Sequence, residues 1–497
     1  MQDSFNENDS RIVEEMKIER EEKGFAADFR RRIRDVKRTR WIRFAIVSIL
    51  FCLWVVWMGN PWLALFWLLL IDIYITAYIP WTWWKKSKDK GVRTLMSWVD
   101  AIVYALVLVY FILIFVCQQY NIPSSSLEKS LLVGDYLWVN KAIYGPRVPQ
   151  TPLHFPLAQH TLPLGLGKSY IENPQLKYHR LPGIRSVERG DIVVFNFPQG
   201  DTVALNIPNP DYYQICYELK ANGIANPKQH IMNNPQQFGQ LVWRPVDRRE
   251  NYVKRAIGLP GERLKIVDDV VYIDGKALKT PENLQFNYII PVSAPIPNSK
   301  WEEIGVSADD MTGMMTNQFN GEKYYNMPLT KAMLKSVEAW PEGAGKIVTE
   351  SESGLYDLGG VFPLGSGYPW SRDNMGEIWI PKRGSTLHLT LKNLPIYERA
   401  IRTYEGNKLE VRDGKIYIND TPTEYYTFKM DYYWMMGDNR DRSLDSRYWG
   451  FVPEDHLIGS PMFVAFSLDK DKSLMSLDKV RWNRVFSNGN PGKEALQ

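Results

Sequence analysis

The sequence predicts a mainly β extracytoplasmic domain with an inserted cap, carried on an α-helical membrane anchor of about three spans. Three observations predict it. Three apolar segments lie near the N-terminus, basic clusters flank them, and alternating hydrophobic patterns follow residue 120. At 497 residues the chain exceeds one ordinary core, so more than one folding unit is expected. The formal charge of +4, from 60 basic and 56 acidic residues, is too mild to indicate a nucleic-acid partner.

Residues 1–40 are polar and mixed in charge, and either a helix with a solvated face or disorder fits them. They are too charged for a cleavable signal peptide. The anchor occupies 41–118, with apolar segments at about 42–59, 61–81 and 98–118, each of spanning length. Gly59-Asn60-Pro61 is an uncharged turn signal between the first two. Arg30–Arg43 holds eight basic residues and one acid, and Lys85–Arg93 holds five and one. The positive-inside rule keeps both clusters cytoplasmic, which places Gly59-Asn60-Pro61 and everything after Gln118 outside. Nine of the 18 tryptophans precede residue 99, as interfacial anchors would. A buried helical hairpin of a soluble protein is the bland alternative for 42–81. A single span there would put one basic cluster outside. Asp100 reads as interfacial. Asp72 either sits near the end of its span or faces another helix.

After residue 120 the pattern changes to strands. "DYLWVNK", "GDIVVFNF" and "LKIVDDVVYIDGKAL" alternate, and Gly134-Asp135, Gly190-Asp191 and Gly261-Glu262 open such runs. Asp274-Gly275 and Asp413-Gly414 are hairpin dipeptides. "LKIVDDVVYIDGK" at 264–276 resembles "LEVRDGKIYINDT" at 409–421, so two similar hairpins are expected. The residues between them are rich in Gly, Pro, Asn and Met and read as an insertion. The core is therefore assigned to 119–276 and 405–497, and the cap to 277–404. The cap is expected to supply no catalytic group.

Three stretches carry chemistry: the cluster Ser124-Ser125-Ser126, "NYVKRAIGLPGE" at 251–262, and "MMGDNRDRSLDSRYWGFVP" at 435–453. The last is too rich in paired Asp and Arg, and too aromatic at its end, for a plain solvated face; it reads as a buried ion-pair network. A serine nucleophile needs a base. None of the six histidines lies in a triad-like motif, and no G-x-S-x-G elbow surrounds Ser126. Lys254 lies among Tyr252, Val253, Ala256 and Ile257, where burial would disfavour its ammonium. Lys129 is a rival base in a polar setting. Three cysteines, Cys52, Cys117 and Cys216, offer no disulfide framework or zinc spacing, so no metal or cofactor is expected.

These stretches resemble the type I signal peptidases, membrane-bound Ser-Lys endopeptidases that remove signal peptides. The resemblance rests on four blocks in order: Pro123-Ser124-x-Ser126; Arg189-Gly190-Asp191-Ile192-Val193-Val194-Phe195; Tyr252 to Gly261; and Gly437-Asp438-Asn439-Arg440-Asp441 with Ser443, Asp445-Ser446-Arg447 and Tyr448-Trp449-Gly450. After Ser126 the family commonly has Met-x-Pro-Thr-Leu, whereas this chain has Leu127-Glu128-Lys129-Ser130-Leu131. The three spans and the long insert also depart from the family.

The resemblance implies a signal-peptidase/LexA-like β fold and a role for each residue. Ser126 would be the nucleophile and Lys254 the general base. The Ser126 N–H and the Ser124 hydroxyl would form the oxyanion hole, and Ser443 would orient the lysine amine. Asp445 and Arg447 would form a structural ion pair, supported by Asp438, Arg440 and Arg255. Ile122, Pro123, Leu127, Tyr252 and Val253 would line shallow pockets for an A-x-A-like site. The implied partners are preprotein signal peptides and the lipid bilayer, with the export translocon as a further candidate. The implied place is the bacterial inner membrane, with the catalytic domain on the periplasmic side. A self-cleaving LexA-type repressor would carry a DNA-binding domain instead, and a transporter would need more spans. A non-catalytic module retaining the fold is the alternative, against which the retention of Ser126, Lys254, Ser443 and Asp445 counts.

Overall fold

A computed structural model describes residues 29–34, 36–155, 158–162, 166–317, 321–353, 360–473, 475–476 and 478–496. Most of the expected N-terminal polar segment, residues 1–28, lies outside this set. The chain divides into two compact units, residues 1–109 and 110–497.

In the first unit, Arg38–Met58 is a 21-residue apolar helix, about 30 Å long. Gly59 ends it in the left-handed region at φ 63°, its N–H donating to the Val55 and Val56 carbonyls. The Asn60 side chain then accepts from Trp62 N, and Pro61 starts the next helical run. That run differs from the second full-length span expected over 61–81. It is helical only over Pro61–Thr76, as a 3₁₀ turn, a short α-helix and a π-turn. At about 2.0 Å per 3₁₀ residue and 1.5 Å per α residue it extends roughly 25 Å. It returns antiparallel along the first helix. Trp67 Nε1 donates to Ser48 Oγ at 3.0 Å, Arg40 to the Ile73 carbonyl at 3.0 Å, and Arg32 to the Thr76 carbonyl at 3.1 Å.

Asp72 explains where the run stops. Its carboxylate accepts from Thr76 Oγ1, Tyr78 N, Ile79 N and Trp81 Nε1 at 2.7–3.2 Å, so it ties the end of the helix to the chain that follows. Both sequence alternatives put this residue at a membrane edge or against a helix; it caps its own segment. Lys90–Phe115 is the second helix long and apolar enough to cross a bilayer. It passes from the first unit into the second.

The second unit is built on a seven-stranded antiparallel sheet. Its strands are β1 (Cys117–Asn121), β2 (Asp135–Asn140), β3 (Ile192–Asn196), β4 (Asn251–Gly258), β5 (Tyr432–Met436), β6 (Val452–Pro453) and β7 (Leu457–Ser467). Their order is β1-β2-β7-β3-β4-β5-β6. β3 is buried along its whole length rather than on alternate residues, because the sheet is covered on both faces. Val193 and Phe195 pack with Ala256 and Trp449, while Ile192 and Val194 pack with Ile122, Leu127 and Leu131. The register sets Lys254 opposite Val193 and Arg255 opposite Ile192, and strand alternation sends those two side chains to opposite faces.

The two similar sequences form the same three-stranded meander. Arg263–Val267, Val270–Ile273 and Lys276–Ala277 match Leu409–Arg412, Lys415–Ile418 and Thr421–Pro422. In each, both turns hold two residues at positive φ: Asp268-Asp269 and Asp274-Gly275, then Asp413-Gly414 and Asn419-Asp420. That is the backbone twist a tight hairpin needs, and Asp, Asn and Gly tolerate it best. Between the meanders, Phe286–Pro291 pairs with Lys323–Leu329 over a separate core that includes Trp301, Tyr325, Met327 and Met333. Met375–Trp379 adds a strand to the first meander.

Candidate active site

The serine cluster is shaped by what anchors it. Ser124 is extended and exposed, and Ser125–Leu127 forms one 3₁₀ turn. Leu127, 1% exposed, is sunk among Leu131, Ile192 and Val194. It is therefore a core residue rather than a pocket wall, and Ile122 is buried in the same cluster. Asn439 clamps the turn from across the domain, donating from its N to the Ser126 carbonyl at 3.1 Å and from Nδ2 to the Ser125 carbonyl at 3.2 Å.

Lys254 enters from β4. It is 3% exposed, and its Nζ donates to Ser126 Oγ at 2.6 Å. Among the described residues it is the only side chain hydrogen-bonded to that hydroxyl. Burial pulls the amine down to about 8. Asp445 and Asp438 oppose this, and the Arg447 charge assists it. The charge of the neighbouring Arg255 is directed elsewhere. Arg255 crosses to the other face, where Nε and Nη2 grip Asp438 at 2.8 and 2.6 Å. His456, the most buried histidine, is committed to Asp455 and Arg249.

The Asp-Arg stretch holds the loop opposite. Asp445 caps the short helix Ser446–Trp449 and accepts Nε and Nη2 of Arg447, each at 2.9 Å, while its Oδ2 also accepts from Gly437 N. Burial and Arg447 together push Arg440 down to about 10; its guanidinium lies over the Phe286 ring. Ser443 departs from expectation. Its Oγ is buried, but it makes no hydrogen bond to the Lys254 amine or to any other described group. Tyr252 stacks on Phe197 with ring centroids 4.6 Å apart and meets Trp449 edge-on; both it and Val253 are half-buried, while Pro123 is exposed.

The segment that departs from the family pattern has structural work at each position. Leu127 fills the core and Glu128 is buried. Lys129 takes φ 70°, and its Nζ donates to the Gly305 carbonyl at 2.5 Å, which removes it as a rival base. Ser130 hydrogen-bonds Asp438, Arg255 and Asn283. Asp438→Ala strips the fully buried Arg255 of its only carboxylate among the described residues and should cost about 3–5 kcal/mol of stability, the weight of a broken buried pair. Denaturant unfolding of the purified variant measures it.

Sequence reasoning missed Asp310. This fully buried carboxylate of the insert takes hydrogen bonds from Asn439 Nδ2, at 3.3 Å to each oxygen, and from the Ser125 hydroxyl, and lies 3.6 Å from Arg442. The insert thus reaches the Ser125–Leu127 turn. Only its acidic pair, Asp309-Asp310, marked it in the sequence. Asp310→Ala should lower turnover about 10- to 100-fold, as loss of an outer supporting partner does, while Asp309→Ala should not. Steady-state cleavage by the two variants decides it.

Elsewhere, Asp269, Asp373 and Asp441 bring carboxylate oxygens within 4.8 Å of one another. Arg372 pairs with Asp373 at 3.2 Å and with Asp441 at 3.4 Å, and burial beside Asp373 pushes Asp269 up to about 8. Chemically, the serine–lysine pair can take a proton from a hydroxyl and return it to a leaving amine.

The family model described as "Signal peptidase, peptidase S26" matches residues 95–290 and 423–466. Those segments hold Ser126, Lys254, Asp438, Ser443, Asp445 and Arg447, and leave out Asp310. Signal peptidase I of Helicobacter pylori is 23% identical over 405 residues, covering 79% of this chain and 91% of its own. That of Haemophilus influenzae is 22% identical over 387 residues, covering 78% and 74%. A solved signal peptidase I from Enterococcus faecalis is 15% identical and covers 56% of this chain and 98% of its own, with a TM-score of 0.17.

Proposed function

The chain belongs to the type I signal peptidase family, and from that premise we propose that it is a membrane-anchored serine endopeptidase. It removes signal peptides from exported preproteins after A-x-A-like sites. The observation that carries the reading is the 2.6 Å approach of a buried lysine amine to the Ser126 hydroxyl. Neutral Lys254 takes the hydroxyl proton as Ser126 Oγ attacks the scissile carbonyl carbon. The oxyanion is met by the Ser126 N–H and the Ser124 hydroxyl. The lysine then gives its proton to the leaving amine, and water, deprotonated by the same amine, releases the acyl group. Pro123, Tyr252 and Val253 line the approach of the cleavage site. Residues 119–276 and 405–497 form the catalytic core, and 277–404 the cap that steadies it through Asp310. The N-terminal unit anchors the domain with three membrane-crossing segments, the middle one the shorter run Pro61–Thr76, in the bacterial inner membrane with the catalytic domain in the periplasm.

Incubating the detergent-solubilised protein with a preprotein and sequencing the new N-terminus tests the activity. Cleavage at any site other than the signal-peptide junction refutes it. Orientation is tested apart. Single cysteines at the exposed positions 60 and 222, in a chain otherwise free of cysteine, should react with an impermeant thiol reagent added outside, and one at the exposed position 90 should not. Protection at 222 would sink the mechanism.

A further inference from the structure

A cavity of about 570 Å³ opens where the helix Lys90–Phe115 ends. Tyr110 and Leu113 of its last turns form one wall, and Lys141, Arg147, His154 and Arg248 face it. Its cations outnumber its anions. Among the described residues, Lys141 Nζ has only a backbone oxygen, that of Leu113, at 2.6 Å. Arg147 donates to the Asn196 side-chain oxygen at 2.7 Å and to the Asp455 carbonyl. Arg248 is 6% exposed, and its Nε, 3.9 Å from Asp247, is buried with no hydrogen-bond partner among the described residues. Asp247, the one carboxylate in the wall, is already held by the Thr151 N–H at 2.9 Å and its hydroxyl at 2.7 Å. Asp455, which Arg147 also feels, is bound to His456 at 2.6 Å.

Guanidinium donors that outnumber a single carboxylate, itself already committed to Thr151, suit a tetrahedral or planar oxyanion. Burial and the neighbouring Arg147 and Arg248 charges hold Lys141 down to about 7, the mark of positive charge with no anion to balance it. The position selects the source. The helix is uncharged from Ala101 to its end, so the cavity begins where the hydrocarbon stops, at the depth of lipid phosphates, and Tyr110 is an interfacial residue type. We propose that this cavity binds the phosphate of a phospholipid headgroup of the outer leaflet, through Arg248, Arg147 and Lys141. The proposal rests on the reading that Lys90–Phe115 spans the bilayer; it is independent of the serine chemistry.

The test is competitive lipid retention by the full-length protein. It is reconstituted with equal amounts of phosphatidylglycerol and a phosphate-free galactosyl diacylglycerol, released, and weighed intact by native mass spectrometry. Wild type should retain phosphatidylglycerol. Arg248→Gln should weaken retention at least about tenfold, the weight of one hydrogen bond to a charged group. Arg248→Lys should keep part of it, and guards against misfolding. The exposed Lys408→Gln should change nothing. Equal retention of both lipids, or unchanged retention in Arg248→Gln, overturns the proposal. So does complete displacement of the lipid by millimolar inorganic phosphate, which would make this a site for the free anion. Cleavage of a soluble peptide, followed in parallel, reports on Ser126 and Lys254 alone, so a lipid result against the proposal leaves the proposed activity standing.

Discussion

Ser126→Ala should leave a folded, membrane-inserted protein that no longer cleaves preprotein. The change removes one oxygen from a half-buried side chain and takes away a hydrogen bond whose partner is the buried Lys254 amine. Nothing else that shapes the turn depends on that oxygen. The Ser126 and Ser125 carbonyls still accept from Asn439, and Leu127 still fills its place in the core. The variant should therefore unfold close to wild type while turnover falls to background, because no other hydroxyl among the described residues is hydrogen-bonded to the lysine. Ser124→Ala removes a single donor to the oxyanion and leaves the backbone N–H, so it should cost roughly 10²–10³ in rate. Measuring both variants with one preprotein separates the roles. Near wild-type turnover in Ser126→Ala would end the assignment, and equal total loss in both would mean that Ser124 does more than stabilise charge.

What could be read in the sequence was local. An apolar run flanked by basic residues marks a helix wherever the chain goes next, so the long helices were legible. The Asp-Gly turns were legible because positive φ is a property of two adjacent residues. Lys254 could be singled out because its own strand neighbours are apolar. Contacts between distant segments were not legible. Nothing near Asp310 says that it will meet Asn439 and Ser125, and nothing near Lys129 says that Gly305 will take its amine. The Pro61–Thr76 run looks like a full-length span until Asp72 is seen to gather four donors and end it early. Leu127 and Ile122 are pocket walls by the resemblance alone, which does not say which side chains the core will cover. β3 misled in the same way, since a strand covered on both sides need not alternate.

Lys254→Arg should be as inactive as Lys254→Ala, and the pH dependence should show why. A lysine with an ordinary value of 10.5 is almost wholly protonated at neutral pH, whereas one held at about 8 is neutral in roughly a tenth of molecules at pH 7. The acid limb of kcat/KM should then rise with unit slope and level off near pH 8, since that profile reports the free enzyme. Arginine cannot lose its proton in a protein, so it fills the site without becoming a base. The same displacement has a sign in stability. The folded value lies below the unfolded one, so between pH 8 and 10.5 the unfolded chain binds more protons and stability rises with pH. Below pH 8 the full penalty for burying the ammonium is present, roughly 3 kcal/mol at 1.36 kcal/mol per unit. Lys254→Met, which keeps the stem and drops the charge, should therefore be inactive yet more stable than wild type at pH 7 by up to that amount, with the gain shrinking as the pH is raised through 8 toward 10.5. Denaturant midpoints at three pH values measure it. An active arginine variant would return the search for a base to the histidines. A methionine variant whose stability advantage does not change with pH would mean that the lysine titrates at its ordinary value, and the acid limb would then have to belong to another group.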